Sequence, residues 1–293
     1  MRRNYPNNFG EVPKRFSDPR RSKAVIIPVP YDETTTYRSG TAGGPAAILS
    51  ASQNMDLCDE ELRSSTYKVG IHTLDDLSVS DLDPEDMIKV VRKEVDKVIN
   101  KGKFPVTIGG EHTISIAPVA ACKKRFKDLS VLHIDAHYDL WDRYNGIKYN
   151  HACVARRIIE FCPIVQCGMR SMGEGELSFL RSDPKGLDVI DMYQIRNNPA
   201  DWVDRVCSLL SDQVYITIDM DGFDPGIVPA VGTPVPGGLE WYETLTLLRR
   251  LTETKRVVGF DIVEIAPTGI ETSSEFLAAK LIYRLLGYIF SKK

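Results

Sequence analysis

The chain has 293 residues, of which 43% are hydrophobic and 26% are charged. This composition is typical of soluble globular proteins and argues against a disordered, fibrous or membrane-embedded chain. The 37 basic and 40 acidic residues give a formal net charge of -3, so there is no cationic excess to hold a phosphate backbone. We therefore expect no nucleic-acid partner.

The cysteine pattern and the chain's apolar stretches bear on its location. The 6 cysteines include no C-x-x-C pair, which favours a reduced, cytoplasmic protein. The N-terminal segment MRRNYPNNFGEVPKRF lacks the apolar region of a secretory signal. The most apolar stretch, residues 276–290, is interrupted by Lys280 and Arg284, so it predicts an amphipathic helix packed on the core. We expect no membrane association.

Short β-branched runs alternate with longer stretches of helical periodicity. The runs predict strands near residues 24–29, 66–71, 104–108, 130–135, 163–168, 187–190, 214–219 and 256–262. The periodic stretches predict helices near residues 45–52, 84–101, 113–126, 151–161, 200–211, 240–252 and 274–290. The clearest helix has Asp83 as its N-cap and Pro84 in its first position, and it ends before Gly102.

The composition of the strands predicts the fold class. Strands such as VYITI and VVGFDIV are apolar at nearly every position, as expected when helices cover both faces of a parallel sheet. No linker or internal repeat divides the chain. We therefore predict one α/β domain over residues 1–293, a three-layer αβα sandwich with an eight-stranded parallel sheet. Ligands of open parallel sheets bind beyond the carboxyl ends of the strands.

Three of the predicted strands end in unusual polar segments, namely GGEHT, DAHYDLWD and DMDGFDP. In the second, Asp135, His137 and Asp139 have the i, i+2, i+4 spacing that places side chains on one side of an extended backbone. Asp219 and Asp221 share this spacing in the third segment. With His112, this makes four carboxylates and two imidazoles, whose crowded negative charge predicts two divalent cations between them.

Each of these motifs has a simpler interpretation when it is taken alone. A single D-x-H-x-D pattern is often incidental, and His112 is consistent with a residue at the start of a helix. A calcium loop beginning at Asp219 is excluded, because its twelfth position would need a glutamate and holds Ala230.

Taken together, the motifs resemble those of the ureohydrolase family of arginases and agmatinases, and agmatinases most closely. The resemblance spans nearly the whole chain, from PYDETTTYRSGTAGGPAAI through GGEHT, DAHYDLWD, YNHA, QCGMRS and DMDGFDP to VGTPVPGGL and DIVEIAP. It implies an eight-stranded parallel sheet, a binuclear manganese site and a homo-oligomer, commonly a trimer or hexamer. It also implies that two Mn²⁺ ions activate a shared water for hydrolysis of a guanidinium group.

The resemblance also implies a metal ligand set. One ion would be bound by His112 and Asp139, the other by His137 and Asp221, and both by Asp135 and Asp219. An oxygen-rich set with two imidazoles suits Mn²⁺. Cys153 could act as an additional soft ligand, but it matches no ligand position of the family.

The family pattern further assigns catalytic roles. Asp139 would relay a proton to the departing amine, and His151 would shuttle protons, as its near-neutral reference pKa allows. The family usually has His-Gly at that motif where this chain has His-Ala, and an ordinary helix-start residue is the alternative for His151. Glu264 would bind the guanidinium nitrogens in bidentate fashion, with a structural salt bridge as its alternative.

Substrate choice depends on two positions. Arginases bind the α-amino and α-carboxylate groups of arginine through polar residues that align here with Trp141 and Gly173, so arginine is disfavoured. The flat face of Trp141 could line the alkyl chain of agmatine or contact its ammonium group, although aromatic packing at a subunit surface would also explain it. We therefore predict hydrolysis of agmatine to putrescine and urea. Aminopropylagmatine, guanidinobutyrate and arginine remain alternative substrates.

Other functional classes fit the sequence less well. A binuclear phosphoesterase is disfavoured because no Walker-type loop or arginine cluster is present and Glu264 would repel a phosphate. A metal-binding protein without catalysis would require a missing ligand, and all six ligand positions are filled.

Overall fold

Eight parallel strands form one sheet in the computed structural model, which describes residues 8–290. Their spatial order is β2-β1-β3-β8-β7-β4-β5-β6. The parallel eight-stranded sheet was predicted from the apolar runs and is confirmed. The strands are β1 Ala24–Val29, β2 Ile71–Thr73, β3 Phe104–Gly109, β4 Leu129–Ile134, β5 Ile164–Cys167, β6 Leu187–Ile190, β7 Gln213–Asp219 and β8 Arg256–Val263.

Helices cover both faces of this sheet. Along β1, Val25 and Ile27 join a core that contains helices α3 and α4, whereas Ala24 and Ile26 join the core that contains α2, α9 and α10. The α-helices are α1 Lys14–Ser17, α2 Gly44–Ser52, α3 Pro84–Asn100, α4 Ile116–Arg125, α5 Val154–Ile158, α6 Glu174–Arg181, α7 Met192–Asn197, α8 Trp202–Leu209, α9 Trp241–Thr254 and α10 Ser273–Phe290. The predicted three layers are thus present.

Helix α3 begins and ends where the sequence predicts. The Asp83 carboxylate accepts a hydrogen bond from the backbone N–H of Asp86 at 2.9 Å, and Pro84 occupies the first turn. Four apolar side chains at helical spacing are buried on one face: Met87, Val91, Val95 and Val98. The helix stops at Asn100, before Gly102 adopts a positive φ of 68°.

The strand predicted over residues 66–71 was wrong. A 3₁₀ turn occupies Thr66–Val69, and pairing with β1 starts only at Ile71. Gly70 between them has a φ of 86°, and a Cβ atom there would lie 2.6 Å from Cα of Ser22. The chain therefore turns where it passes close to the start of β1, and extended pairing is impossible before that turn.

Two predicted helices begin later than expected. The segment near 113–126 starts as a 3₁₀ turn, His112–Ser115, and the segment near 151–161 starts as His151–Cys153, followed by only five α-helical residues. Both turns present a histidine immediately after a loop from the sheet. Helices α1, α6 and α7, which have four, eight and six residues, were not predicted.

Helix α10 packs on the core as predicted, and its two basic residues share a face. That face is covered by an acidic loop: Arg284 is only 2% exposed and contacts Asp59, Glu60 and Glu61, while Lys280 lies 3.2 Å from Glu60. Within residues 8–290, no helix combines the length and the apolar character that crossing a bilayer requires.

Candidate functional site

Four adjacent strands at the centre of the sheet end at one edge and deliver the polar side chains there. In spatial order they are β3, β8, β7 and β4. The segments that follow them contain His112, Glu264, Asp221 and Asp135, respectively. Because all the strands are parallel, their carboxyl ends meet in one crevice.

The buried imidazole of His112 is the centre of the first cluster. Its Nδ1 atom lies 3.1 Å from Oδ2 of Asp135, 3.2 Å from Oδ2 of Asp139 and 3.3 Å from Oδ2 of Asp219. This nitrogen is fully buried and has no hydrogen-bond partner among the described residues. A ring nitrogen and three carboxylate oxygens that converge in this way fit a divalent cation.

The other side of the His112 ring fixes its tautomer. Nε2 lies 2.9 Å from the hydroxyl of Thr217, and that hydroxyl donates to Oδ1 of Asp261 at 2.6 Å. The single hydroxyl proton is thereby used, so Thr217 accepts a hydrogen bond from Nε2–H. Nδ1 consequently keeps its lone pair for a metal ion.

The second cluster is centred on His137. Its Nδ1 lies 3.0 Å from Oδ2 of Asp221 and 3.6 Å from Oδ1 of Asp135. Asp135 thus presents one oxygen to each cluster, as expected of a bridging ligand. Asp219 presents Oδ2 to the first cluster, and its Oδ1 accepts a hydrogen bond from the backbone N–H of Asp221 at 2.8 Å.

The electrostatics of the two clusters show an excess of negative charge. Burial and the neighbouring Asp135 raise the pKa of Asp139 to about 7. Burial, Asp221 and Asp135 raise the pKa of Asp219 well above its usual range. Carboxylates that resist ionisation in this way would ionise fully beside bound cations, so the residues present fit a pair of divalent ions.

Cys153 does not belong to either cluster of potential ligands found within residues 8–290. Its thiol contacts the backbone oxygen of Ile147 at 3.9 Å, and burial raises its pKa to about 12. The structure therefore gives no support to a sulfur ligand.

His151 lies in the wall of the same crevice and is held by Thr34. The Thr34 hydroxyl donates to Oε1 of Glu111 at 2.6 Å and accepts a hydrogen bond from the His151 backbone N–H at 3.0 Å. His151 Nδ1 lies 3.2 Å from the same hydroxyl, so it must be the donor. This leaves Nε2 as a proton acceptor, and burial lowers the pKa of His151 to about 4.

Glu264 directly follows β8 and is 7% exposed. Its Oε1 accepts a hydrogen bond from the His112 backbone N–H at 2.6 Å, and burial followed by the charge of Glu111 raises its pKa well above the usual range. No lysine or arginine within residues 8–290 forms an ion pair with it, so the structural salt bridge considered from the sequence is not observed.

Two of these carboxylates lie on unusual backbone. Asp139 has a φ of 52° and Glu264 a φ of 66°, in the left-handed region that costs a non-glycine residue about 1–3 kcal/mol. Such strain is concentrated at functional sites, where the surrounding structure enforces it.

The crevice encloses a pocket of about 280 Å³. Trp141 is half-buried in its wall, in the same pocket as His112, His137 and Asp139. A larger cavity of about 790 Å³ lies between α2 and α10, but it contains none of the ligand residues. The smaller pocket is lined by Thr36, His112, His137, Asp139, Trp141, Tyr144, His151, Ala152, Ser171, Met172, Gly173, Glu176, Asp219, Asp221, Thr233 and Glu264.

One residue with a clear place in the site was missed from the sequence. His133 is fully buried on β4, and its Nε2 lies 2.7 Å from Oδ2 of Asp135. The amide nitrogen of Gln166 lies 3.1 Å from His133 Nδ1 and therefore donates to it. His133 thus donates to Asp135 through Nε2–H. Its position two residues before Asp135, on the same side of the strand, was the available signal.

Comparison with known proteins identifies the family of this chain. A family model described as the Arginase family matches residues 22–287. The chain belongs to the arginase family. Arginase-family members are binuclear metal enzymes, and this chain is a ureohydrolase, a hydrolase that acts on amidine C–N bonds.

Individual arginase-family relatives match over almost their whole length. The N(1)-aminopropylagmatine ureohydrolase of Synechocystis sp. is 39% identical, over 97% of this chain and 96% of the relative. The agmatinase of Pyrococcus horikoshii is 35% identical, over 90% of each. The crystal structure of agmatine ureohydrolase of Thermoplasma volcanium has a TM-score of 0.84 and 34% identity, and covers 92% of this chain and 90% of that one.

Proposed function

We propose that this arginase-family enzyme hydrolyses the guanidinium group of an aminoalkyl guanidine, with N1-aminopropylagmatine ranked before agmatine. The composition of the pocket wall supports this substrate class. The wall includes carboxylates, imidazoles and aromatic rings, and no lysine or arginine within residues 8–290 lines it. A cationic chain end is favoured in such a pocket, whereas a substrate carboxylate would lie there without a basic partner. The ranking follows the 39% identical relative that bears the name of the longer amine.

Glu264 is the proposed partner of the guanidinium group. Its Oε1 is engaged by the His112 backbone, its Oε2 lies near Gly232, and it has no ion-pair partner within residues 8–290. A planar cation with paired N–H donors matches a carboxylate in this position. Binding the substrate would supply the positive charge that this buried side chain lacks.

Asp139 and His151 are the proposed proton carriers. Both line the pocket, and collapse of the tetrahedral intermediate requires a proton on the departing amine. Asp139 is the nearer of the two to the metal cluster, so it delivers that proton. His151, whose Nδ1–H is held by Thr34, keeps Nε2 free to exchange protons with the pocket.

We propose that the divalent ions are two Mn²⁺. The ligand set supports this, because it contains four carboxylates and two imidazoles and no thiolate. When bound, such ions supply Lewis acidity and an activated water for attack on the guanidinium carbon. His112, Asp135, Asp139 and Asp219 would hold one ion, and His137, Asp135, Asp219 and Asp221 the other. A homo-oligomer, trimer or hexamer, completes the proposal.

The proposal is tested by measuring urea release from four guanidino compounds with the manganese-loaded protein. N1-aminopropylagmatine should yield spermidine and urea, and agmatine should yield putrescine and urea. For arginine and 4-guanidinobutyrate, kcat/KM should be lower than for the two amines by a factor of about 100 or more. The reason is that a buried substrate carboxylate without a basic partner costs about 3 kcal/mol. Comparable or faster hydrolysis of either carboxylate compound would overturn the proposed substrate class.

A further inference from the structure

The indole of Trp141 rests on two residues that lack side chains. A Cβ atom at Gly173 would overlap Cζ2 of the ring and lie 3.2 Å from Cε2. A Cβ atom at Gly175 would lie 2.6 Å from Cζ3 and 3.0 Å from Cη2. The six-membered ring therefore occupies the space that side chains at both positions would need. We call Gly173 and Gly175 the glycine floor.

Glu176 connects the backbone beside Trp141 to the glycine floor through hydrogen bonds. Its Oε1 accepts a hydrogen bond from the backbone N–H of Leu140 at 2.9 Å, and its Oε2 accepts one from Gly173 at 2.8 Å. The side chain is 4% exposed. Because Leu140 directly precedes Trp141, one buried carboxylate holds both the ring's own segment and the floor beneath it.

The indole is also braced at its edge. Tyr144 packs against it in a T-shaped contact with ring centroids 5.7 Å apart, and Tyr144 in turn lies 6.3 Å from the ring of His151. The backbone N–H of Trp141 donates to the oxygen of Ala152 at 3.2 Å. A continuous aromatic wall thus runs from His151 near the metal ligands to Trp141.

We propose that Trp141, the glycine floor and Glu176 form a subsite for the ammonium-bearing arm of the substrate, in which residues 141, 173 and 175 act as one coupled specificity determinant. The inference rests on the proposed function and deepens it. The indole face and the buried carboxylate both favour an organic cation and disfavour an anion. A side chain at position 173 would displace the ring, so no polar group can be added there while Trp141 is present.

A double-mutant cycle on the manganese-loaded full chain tests the coupling. Gly173 has φ −90° and ψ 160°, which any residue adopts, so the effect of Gly173→Ala comes from the indole alone. We expect Gly173→Ala to raise KM for agmatine about tenfold and to lower the Tm by about 3–8 °C, as overpacking does. In the Trp141→Ala background, the same change should alter neither quantity further.

The guanidinium ion, which has no ammonium arm, is the matched probe. Trp141→Ala should raise KM for agmatine about tenfold, as loss of a desolvated cation–π contact predicts, and should leave kcat and the inhibition constant of guanidinium unchanged. If Trp141 had a purely structural role, Trp141→Ala would change KM for agmatine, kcat and the inhibition constant of guanidinium together. That result would overturn the proposed subsite.

The two proposals fail in different ways. If the wild-type enzyme hydrolyses a carboxylate compound in preference to the amines, the proposed function is lost. If it prefers the amines but Gly173→Ala and Trp141→Ala have additive effects on KM and Tm, only the coupled subsite is refuted.

Discussion

His133 donates a hydrogen bond through Nε2 to Oδ2 of Asp135 at 2.7 Å, so the carboxylate proposed to bridge the two ions has a neutral imidazole as its partner. Gln166 fixes the direction of this bond, because its amide donates both to His133 Nδ1 and to the backbone oxygen of Tyr138. Partners of this kind orient metal ligands and set their basicity.

His133→Asn should weaken Mn²⁺ binding about 10–100-fold, because the shorter side chain no longer reaches Asp135. His133→Gln is the matched variant, since its amide nitrogen can replace Nε2, and we expect it to retain most of the affinity. Competition with a coloured chelator measures the Mn²⁺ dissociation constant of each variant. Equal affinities for the two variants would show that the hydrogen bond has no such role.

Asp139→Asn should lower kcat for urea release about 100–10,000-fold, the range over which a positioned acid or base contributes. The neighbouring Asp142 is the control: its side chain is 67% exposed and pairs with Arg157 outside the pocket. Asp142→Asn should therefore retain nearly full activity. Unchanged urea production by Asp139→Asn would remove this residue from the mechanism.

Removal of the metal should destabilise the protein, because the carboxylates around His112 would then repel one another in a buried site. Free Mn²⁺ at a thousand times its dissociation constant stabilises a folded protein by about 4 kcal/mol per site. Thermal unfolding after chelation should show a lower Tm that Mn²⁺ restores. A Tm independent of Mn²⁺ would contradict a binuclear site.

Arg284→Met should lower the free energy of unfolding by about 3–5 kcal/mol, because it leaves the buried Asp59 without its cation. Another of its partners, Glu60, is 64% exposed, so Glu60→Gln should cost at most about 1 kcal/mol. Urea unfolding monitored by circular dichroism measures both. If both substitutions lowered the free energy of unfolding equally, burial would not determine how much each ion pair of Arg284 stabilises the protein.

Glu60 also has a predictable pH dependence. Its own backbone N–H, together with Lys280 and Arg284, lowers its pKa from 4.5 to about 2. Because the pKa of Glu60 is lower in the folded than in the unfolded protein, its ionised form stabilises the fold. This contribution is complete at pH values above the unfolded-state pKa of 4.5, and it is lost as the pH falls towards the folded-state pKa of about 2. The difference in unfolding free energy between wild type and Glu60→Gln should therefore shrink between pH 5 and pH 3. A difference that grows on acidification would contradict this assignment.

The clustering of the proposed metal ligands could be predicted in part, because some of their spacing is local. Side chains two residues apart on an extended backbone lie on one side, so Asp135 and His137 were predicted to lie together. Asp139, with a φ of 52°, departs from the extended backbone, and it joins the first cluster through its contact with the distant His112. The parallel sheet was predictable for a similar reason, since apolar strands reveal burial on both faces.

The features that were missed depend on contacts between distant segments. The turn at Gly70 is imposed by the approach of Ser22, and nothing in TYKVG distinguishes it from a strand. The fit of Trp141 onto Gly173 likewise appears only when α6 is placed beside the loop after β4. His133 has the same local pattern as a core residue, and only Gln166 on the neighbouring strand reveals its direction of donation.

The place of β8 in the sheet determines how late in the chain the His112 cluster is completed. Among the strands within residues 8–290 it is the last in sequence, yet it lies between β3, which His112 follows, and β7, which ends at Asp219. β3 and β7 do not pair with each other, so β8 sets the spacing at which His112 Nδ1 and Asp219 Oδ2 lie 3.3 Å apart. The bond between His112 and Glu264 spans 152 residues. The His112 cluster therefore depends on β8, whereas Asp135, His137 and Asp221 follow β4 and β7, two strands that pair directly with each other.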